Sequence, residues 1–166
     1  MASLQCIDFI GLDTAKDFWT EVVLPDYKQF TDAGNTRDGV HAALTAWHLH
    51  DWLFLEKYPA GGTKKEKKAF QQELIDACPE LRWLREFAET AKHRALRLPG
   101  LQVERVEPAT LVERTTPIPT DFGSFSLRVT GKSPVVIVLL DDGSAHQLFD
   151  VLARVIEYWR TNWIPA

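Results

Sequence analysis

The stretch from Arg37 to Tyr58 constrains this chain more than any other. Read at 100° per residue, it places Val40, Leu44, Trp47, Phe54 and Tyr58 on one face of a helix, with Ala42, Ala46, Leu49 and Leu53 nearly opposite. A helix that is apolar almost all round has to sit inside a protein, enclosed on several sides. The remaining elements are therefore expected to wrap it. With 166 residues, the chain is long enough to bury roughly two-thirds of its unfolded surface as one domain, 1–166.

Signals of helix ends recur on both sides of this core element. Asp13 and Thr14 read as N-caps, Pro25 as a kink or restart, and Asn35 with Asp38 as the start of the central helix. Pro59 and Gly61-Gly62 end it. Thr63 and Glu66 then form a capping box, opening a helix with Phe70, Leu74 and Ala77 inward. Pro79 reads as the first residue of another helix, with Leu81, Leu84, Ala88, Ala91 and Ala95 on one face, stopped by Pro99-Gly100. The helical part thus covers about 13–98 with about four helices.

Beyond Gly100 the period changes to that of strands. Leu4 to Ile10, Val103 to Val106, Leu111 to Arg114 and the alternation around Phe125, Leu127 and Val129 read as extended, and Thr115 to Phe122 as a loop. Gly131-Lys132-Ser133-Pro134 reads as a turn into Val135–Leu140, a β-branched run suited to a central strand. After the turn Asp141-Asp142-Gly143, Ser144 and Gln147 read as a second capping box. The closing helix, about 144–163, then buries Leu148, Leu152, Val155, Ile156 and Trp159. The expectation is an α+β fold: a helical bundle, a small antiparallel sheet over about 101–141, and a C-terminal helix.

A net charge of -4 argues against a nucleic-acid surface, which is normally basic. Cys6 and Cys78 fit neither a disulfide framework nor a zinc site, and the opening residues show no leader, so a cytoplasmic setting is expected. No apolar run spans a membrane. The basic residues Lys64, Lys65, Lys67 and Lys68 read as a solvated run, and no phosphate loop or nucleophile motif appears.

Chemistry-bearing residues concentrate on the central helix. Arg37, His41, His48, His50 and Asp51 share it, and Asp51 falls within the apolar arc, where a carboxylate needs bonds or a counter-charge. His48 precedes it by one helical turn. His48 and Asp51 are suitable ligands for zinc, iron or manganese and, with His93 from another helix, make the candidate metal set. The wider binding candidates are Arg37, His41, His48, Asp51, Lys92 and His93. His41 and His48 lie about 10 Å apart along the axis, too far to share one ion. The competing reading is a satisfied polar pair that orients helices, and no cofactor is predicted.

The segment Ala46-Trp47-His48-Leu49-His50-Asp51-Trp52, with the later Ala91-Lys92-His93, resembles a pattern in uncharacterised small bacterial proteins, which implies no known activity. Helical bundles of the HEPN ribonuclease type are also similar, but their Arg-to-His spacing is met neither by Arg37 and His41 nor by Arg85 and His93. The sequence singles out no activity. It favours a non-catalytic binding or accessory protein of the bacterial cytoplasm, compatible with a homodimer. The alternative is a small metal-dependent or nuclease-like enzyme built on the His/Asp cluster.

Overall fold

Thr14 begins the ordered helical part. Its hydroxyl accepts the Asp17 N–H at 3.0 Å, and the Asp17 carboxylate takes the Thr14 N–H at 2.9 Å, which satisfies orphan donors at the helix start. The computed structural model describes residues 11–93, 103–119 and 126–164, with side chains over 11–89 and 136–164. The extended segment expected at Leu4–Ile10 lies outside the described residues, as do Ala95, the Pro99-Gly100 stop and Phe125.

Helix α1 (Ala15–Phe18) runs through a π-helical segment (Trp19–Val23) into α2 (Leu24–Ala33), so the disturbance expected from Pro25 is a widened turn. Proline offers no N–H to the carbonyl four residues back. The Leu24 N–H instead reaches back five residues, to the Trp19 carbonyl. Gly34 closes α2 in the left-handed region at φ 65°, and the Asn35 side chain caps α3 (Thr36–Lys57) through the Asp38 N–H at 2.9 Å.

α3 is the core helix that its sequence announces. It packs against α2, α5 and α6, and buries Ala42, Ala46, Leu49 and Leu53 on one side with Ala43, Trp47 and Phe54 turned towards the other. A loop at Pro59–Gly62 turns the chain into α4 (Lys64–Ala77), capped by Thr63 and Glu66 as expected. A Cβ on Gly62 would stand 2.5 Å from the buried Phe54 ring, so this approach of loop to helix requires glycine. In α4, Phe70, Leu74 and Ile75 are buried. The expected inward Ala77 is exposed, because the helix ends there and turns out towards Pro79. α5 (Glu80–His93) follows directly after Pro79 and buries Leu81, Leu84 and Ala88.

The sheet has the order β1-β2-β3 and is antiparallel throughout. β1 (Val103–Pro119) is one long strand rather than two. Extra β1 residues between Val103 and Arg105, and between Glu107 and Thr110, absorb Pro108 as bulges. Thr115 to Pro119, expected in a loop, thus belong to β1, and the rest of that expected loop lies outside the described residues. β2 (Ser126–Leu140) runs unbroken through Gly131–Pro134, where a turn was expected, and the chain reversal falls between Pro119 and Ser126.

The second expected capping box does not form. The Ser144 N–H donates to Asp142 Oδ1 at 2.8 Å, and Ala145–Gln147 become β3 against Ile137–Leu139. Helix α6 thus starts at Leu148 (Leu148–Asn162), not at 144. Val136, Val138 and Leu140 point inward from β2, the middle strand, and α6 packs on that face. The architecture is α+β, helices first, then sheet, then closing helix. No helix among the described residues is long and apolar enough to cross a membrane.

α6 is fastened to α3 by the fully buried Trp159, whose indole Nε1 donates to the Ala46 carbonyl at 3.0 Å. Replacing it with phenylalanine removes the donor and leaves a small cavity. Trp159→Phe is expected to lower unfolding free energy by roughly 2–3 kcal/mol, read from urea midpoints at unchanged m-value.

Candidate functional site

Residues 47–51 of α3 and the first turns of α4 meet in one polar cluster. His50 is 1 % exposed, the most deeply buried ionisable side chain described. Its Nδ1 lies 2.6 Å from the Trp47 carbonyl and its Nε2 2.8 Å from Gln71 Nε2. A carbonyl can only accept, so Nδ1 carries the proton and Nε2 receives the Gln71 amide hydrogen. Both ring nitrogens are engaged in the neutral form. Burial pushes His50 below the usual imidazole range and outweighs the pull of neighbouring Asp51.

Asp51 is 31 % exposed, at the rim rather than inside the apolar arc. Its Oδ2 accepts from His48 Nδ1 at 2.9 Å, and Lys67 Nζ stands 2.6 Å from its Oδ1. Burial opposes ionisation here, but the His48 hydrogen bond and the Lys67 ammonium together hold the carboxyl well below the usual carboxylate range. The Lys67 cation also makes tolerable the 3.2 Å approach of Asp51 Oδ1 to the unprotonated His50 Nε2.

Of the residues marked by sequence, His48 and Asp51 are brought together. Arg37 and His41 are exposed and lie about 21 Å and 15 Å from Asp51 along α3, so they belong to no common site with it. Lys92 and His93 lie in the last turn of α5, and their side chains fall outside the described residues. Among the described residues, no group of three His, Cys, Asp or Glu side chains could hold a metal ion. Sequence reasoning placed Lys67 in a solvated run, left His50 out of the candidate sets and did not mark Gln71, whereas Lys67 pairs with Asp51 and Gln71 with His50. One signal was present: α3 and α4 form a hairpin about Pro59–Gly62, which sets Lys67 opposite Asp51.

Two further clefts flank α6. One, of about 430 Å³, is walled by Trp83 and His146, whose rings lie 4.7 Å apart, and by Arg154, which donates to Glu80 at 2.8 Å. The Ser144 hydroxyl is 3.2 Å from His146 Nε2, but it does not line the cleft. The other holds Cys78, whose thiol is pushed up to about 11 by burial and by Glu80. Such a thiol is protonated at neutral pH and is a poor nucleophile. Compared with family models, with curated proteins and with solved structures, the chain matches none.

The titrations of His50 and Asp51 act in the same direction. Both folded values lie below the unfolded ones, so the unfolded chain binds more protons and stability rises with pH. His50's contribution is full above about pH 6.5 and fades below it, and Asp51's fades below about pH 4. Melting temperature is expected to drop between pH 7.5 and 5, and again below 4. Asp51→Asn should cost about 1–2 kcal/mol at pH 7, less than a sealed ion pair, and should shrink the second drop in a pH series of thermal melts.

Proposed function

We propose that the protein is a non-catalytic binding or accessory protein, acting in the bacterial cytoplasm, and that its His/Asp cluster is a fastening between helices. One observation supports this reading above all: the charged and ring groups of the cluster are mostly engaged with each other. Both nitrogens of His50 are bonded, Asp51 Oδ2 accepts from His48, and Asp51 Oδ1, which takes no hydrogen bond, is neutralised by the Lys67 ammonium 2.6 Å away. An enzyme built on His48 and Asp51 would need these groups turned towards a substrate or a metal, with a third ligand beside them. No cofactor enters the reading.

The test is a calorimetric titration of the untagged protein with Zn²⁺ and Mn²⁺, run beside His48→Ala and Asp51→Asn. The expected result is no stoichiometric binding that depends on either residue, while both variants melt lower than the wild type. One equivalent of metal bound by the wild type and lost in either variant would overturn the proposal.

A further inference from the structure

The β1–β2 ribbon outreaches its sheet. β3 covers only Ile137–Leu139, whereas β1 and β2 stay paired for ten further register positions, from Thr110 opposite Val135 to Pro119 opposite Ser126. At about 3.3 Å per residue this two-stranded stretch is roughly 30 Å long. Two strands alone are marginal in water, and a third is what normally stabilises such a ribbon.

Among the described residues one edge of each strand is unpaired along this stretch, and backbone alternation says which. The Leu140 N–H donates to the Ser144 carbonyl and its carbonyl receives the Gly143 N–H, so Leu140 faces the β3 side. Both bulges lie in β1, so β2 alternates without interruption. Positions 138, 136, 134, 132, 130 and 128 therefore face the same edge as Leu140. Pro134 has no N–H to offer there and marks the end of the β3 segment, but Lys132, Thr130 and Arg128 each present a donor and an acceptor. On β1 the outward positions are the odd ones from Leu111, which include Pro117 and Pro119. Two of its five outward donors are missing, both towards the far end of the ribbon. Prolines on an outer strand are a known barrier to further pairing. The edge of β2 has no such barrier between Ser126 and Ser133.

We infer that the outer edge of β2, at Arg128, Thr130 and Lys132, receives an extended acidic segment of a partner protein as an added strand. The inference rests on the binding-protein reading above and gives it a surface. Charge identifies the occupant: β2 carries Arg128 and Lys132 and no acidic residue from Ser126 to Leu140, and although Glu113 of β1 stands opposite Lys132, the ribbon's Arg114, Arg128 and Lys132 leave it net positive in a chain whose net charge is -4. A second copy is the poorer partner. The antiparallel register that uses all three donors would set Arg128 of one edge against Lys132 of the other, and like charges directly opposite destabilise a pair. Backbone bonds supply the affinity in strand addition, and flanking charge selects the partner.

The probe is a fluorescein-labelled heptapeptide of alternating glutamate and valine, with a lysine–valine counterpart, followed by anisotropy against the full chain. Thr130→Pro removes the central donor at a position whose N–H faces away from β1, so thermal melts and far-ultraviolet dichroism should match the wild type. The expected result is saturable binding of the acidic peptide, weakened roughly tenfold in Thr130→Pro, which corresponds to one lost ladder bond. The basic peptide should bind more weakly. Failure of the acidic peptide to bind, equal binding by Thr130→Pro, or equal binding of both peptides overturns the inference. Wild-type dimerisation in sedimentation that Thr130→Pro abolishes would also overturn it, assigning the edge to a second copy. These outcomes are distinct from failure of the broader reading, which shows as metal binding at His48 and Asp51.

Discussion

Everything in this fold leans on the contact between α3 and α6. Ala42 and Ala46 give α3 a low profile on one side, and α6 packs against α3. Trp159 lies fully buried there and donates to a carbonyl of α3, so one side chain supplies both bulk and orientation. α6 in turn covers the inward face of β2. The sheet and the helical bundle therefore share one hydrophobic cluster, in which Val136 and Val138 from the strand join Leu49 and Leu53 from the core helix.

The polar cluster one turn further along α3 has a different character. It sits where the hairpin between α3 and α4 narrows, and it replaces apolar packing with directed bonds. Lys67 and Gln71 are one turn apart on α4, and each engages a different residue of α3. Phe54 and Phe70 back the same junction, with ring centroids 5.9 Å apart. Directed bonds fix the rotational setting of one helix on another in a way that aliphatic contacts alone leave loose. That is the structural office we propose for residues whose types would also suit chemistry.

The helices were legible because their signals are local. Caps at Thr14, Asn35 and Thr63 and breaks at Gly34 and Gly61-Gly62 involve neighbours within a few residues, so spacing alone reveals them. The strands were harder. Pro117, Pro119 and Pro134 read as breakers, yet each stands where a strand's N–H faces away from its partner, and that fact exists only once the register is known. Ser144 and Gln147 had the spacing of a capping box, but three residues of β3 pairing claimed the segment first. The candidate site was half legible for a similar reason. His48 and Asp51 are neighbours on one helix, while Lys67 and Gln71 arrive from across a loop, and the burial of His50 depends on what α4 lays over it.

The widened turn between α1 and α2 carries its own consequence. Residues four apart on an α-helix drift by about 40° around the axis, so Ala15, Trp19 and Val23 would fan out along a regular helix. A turn closed five residues back winds more slowly and takes that drift back. All three side chains are accordingly buried, and the start of the helix stays close enough to α3 for Glu56 to accept the Ala15 N–H at 2.7 Å. The extra residue works as a phase corrector. Excising one residue from Trp19–Val23 would restore a regular pitch and swing the first turn around the axis, away from the carboxylate that caps it.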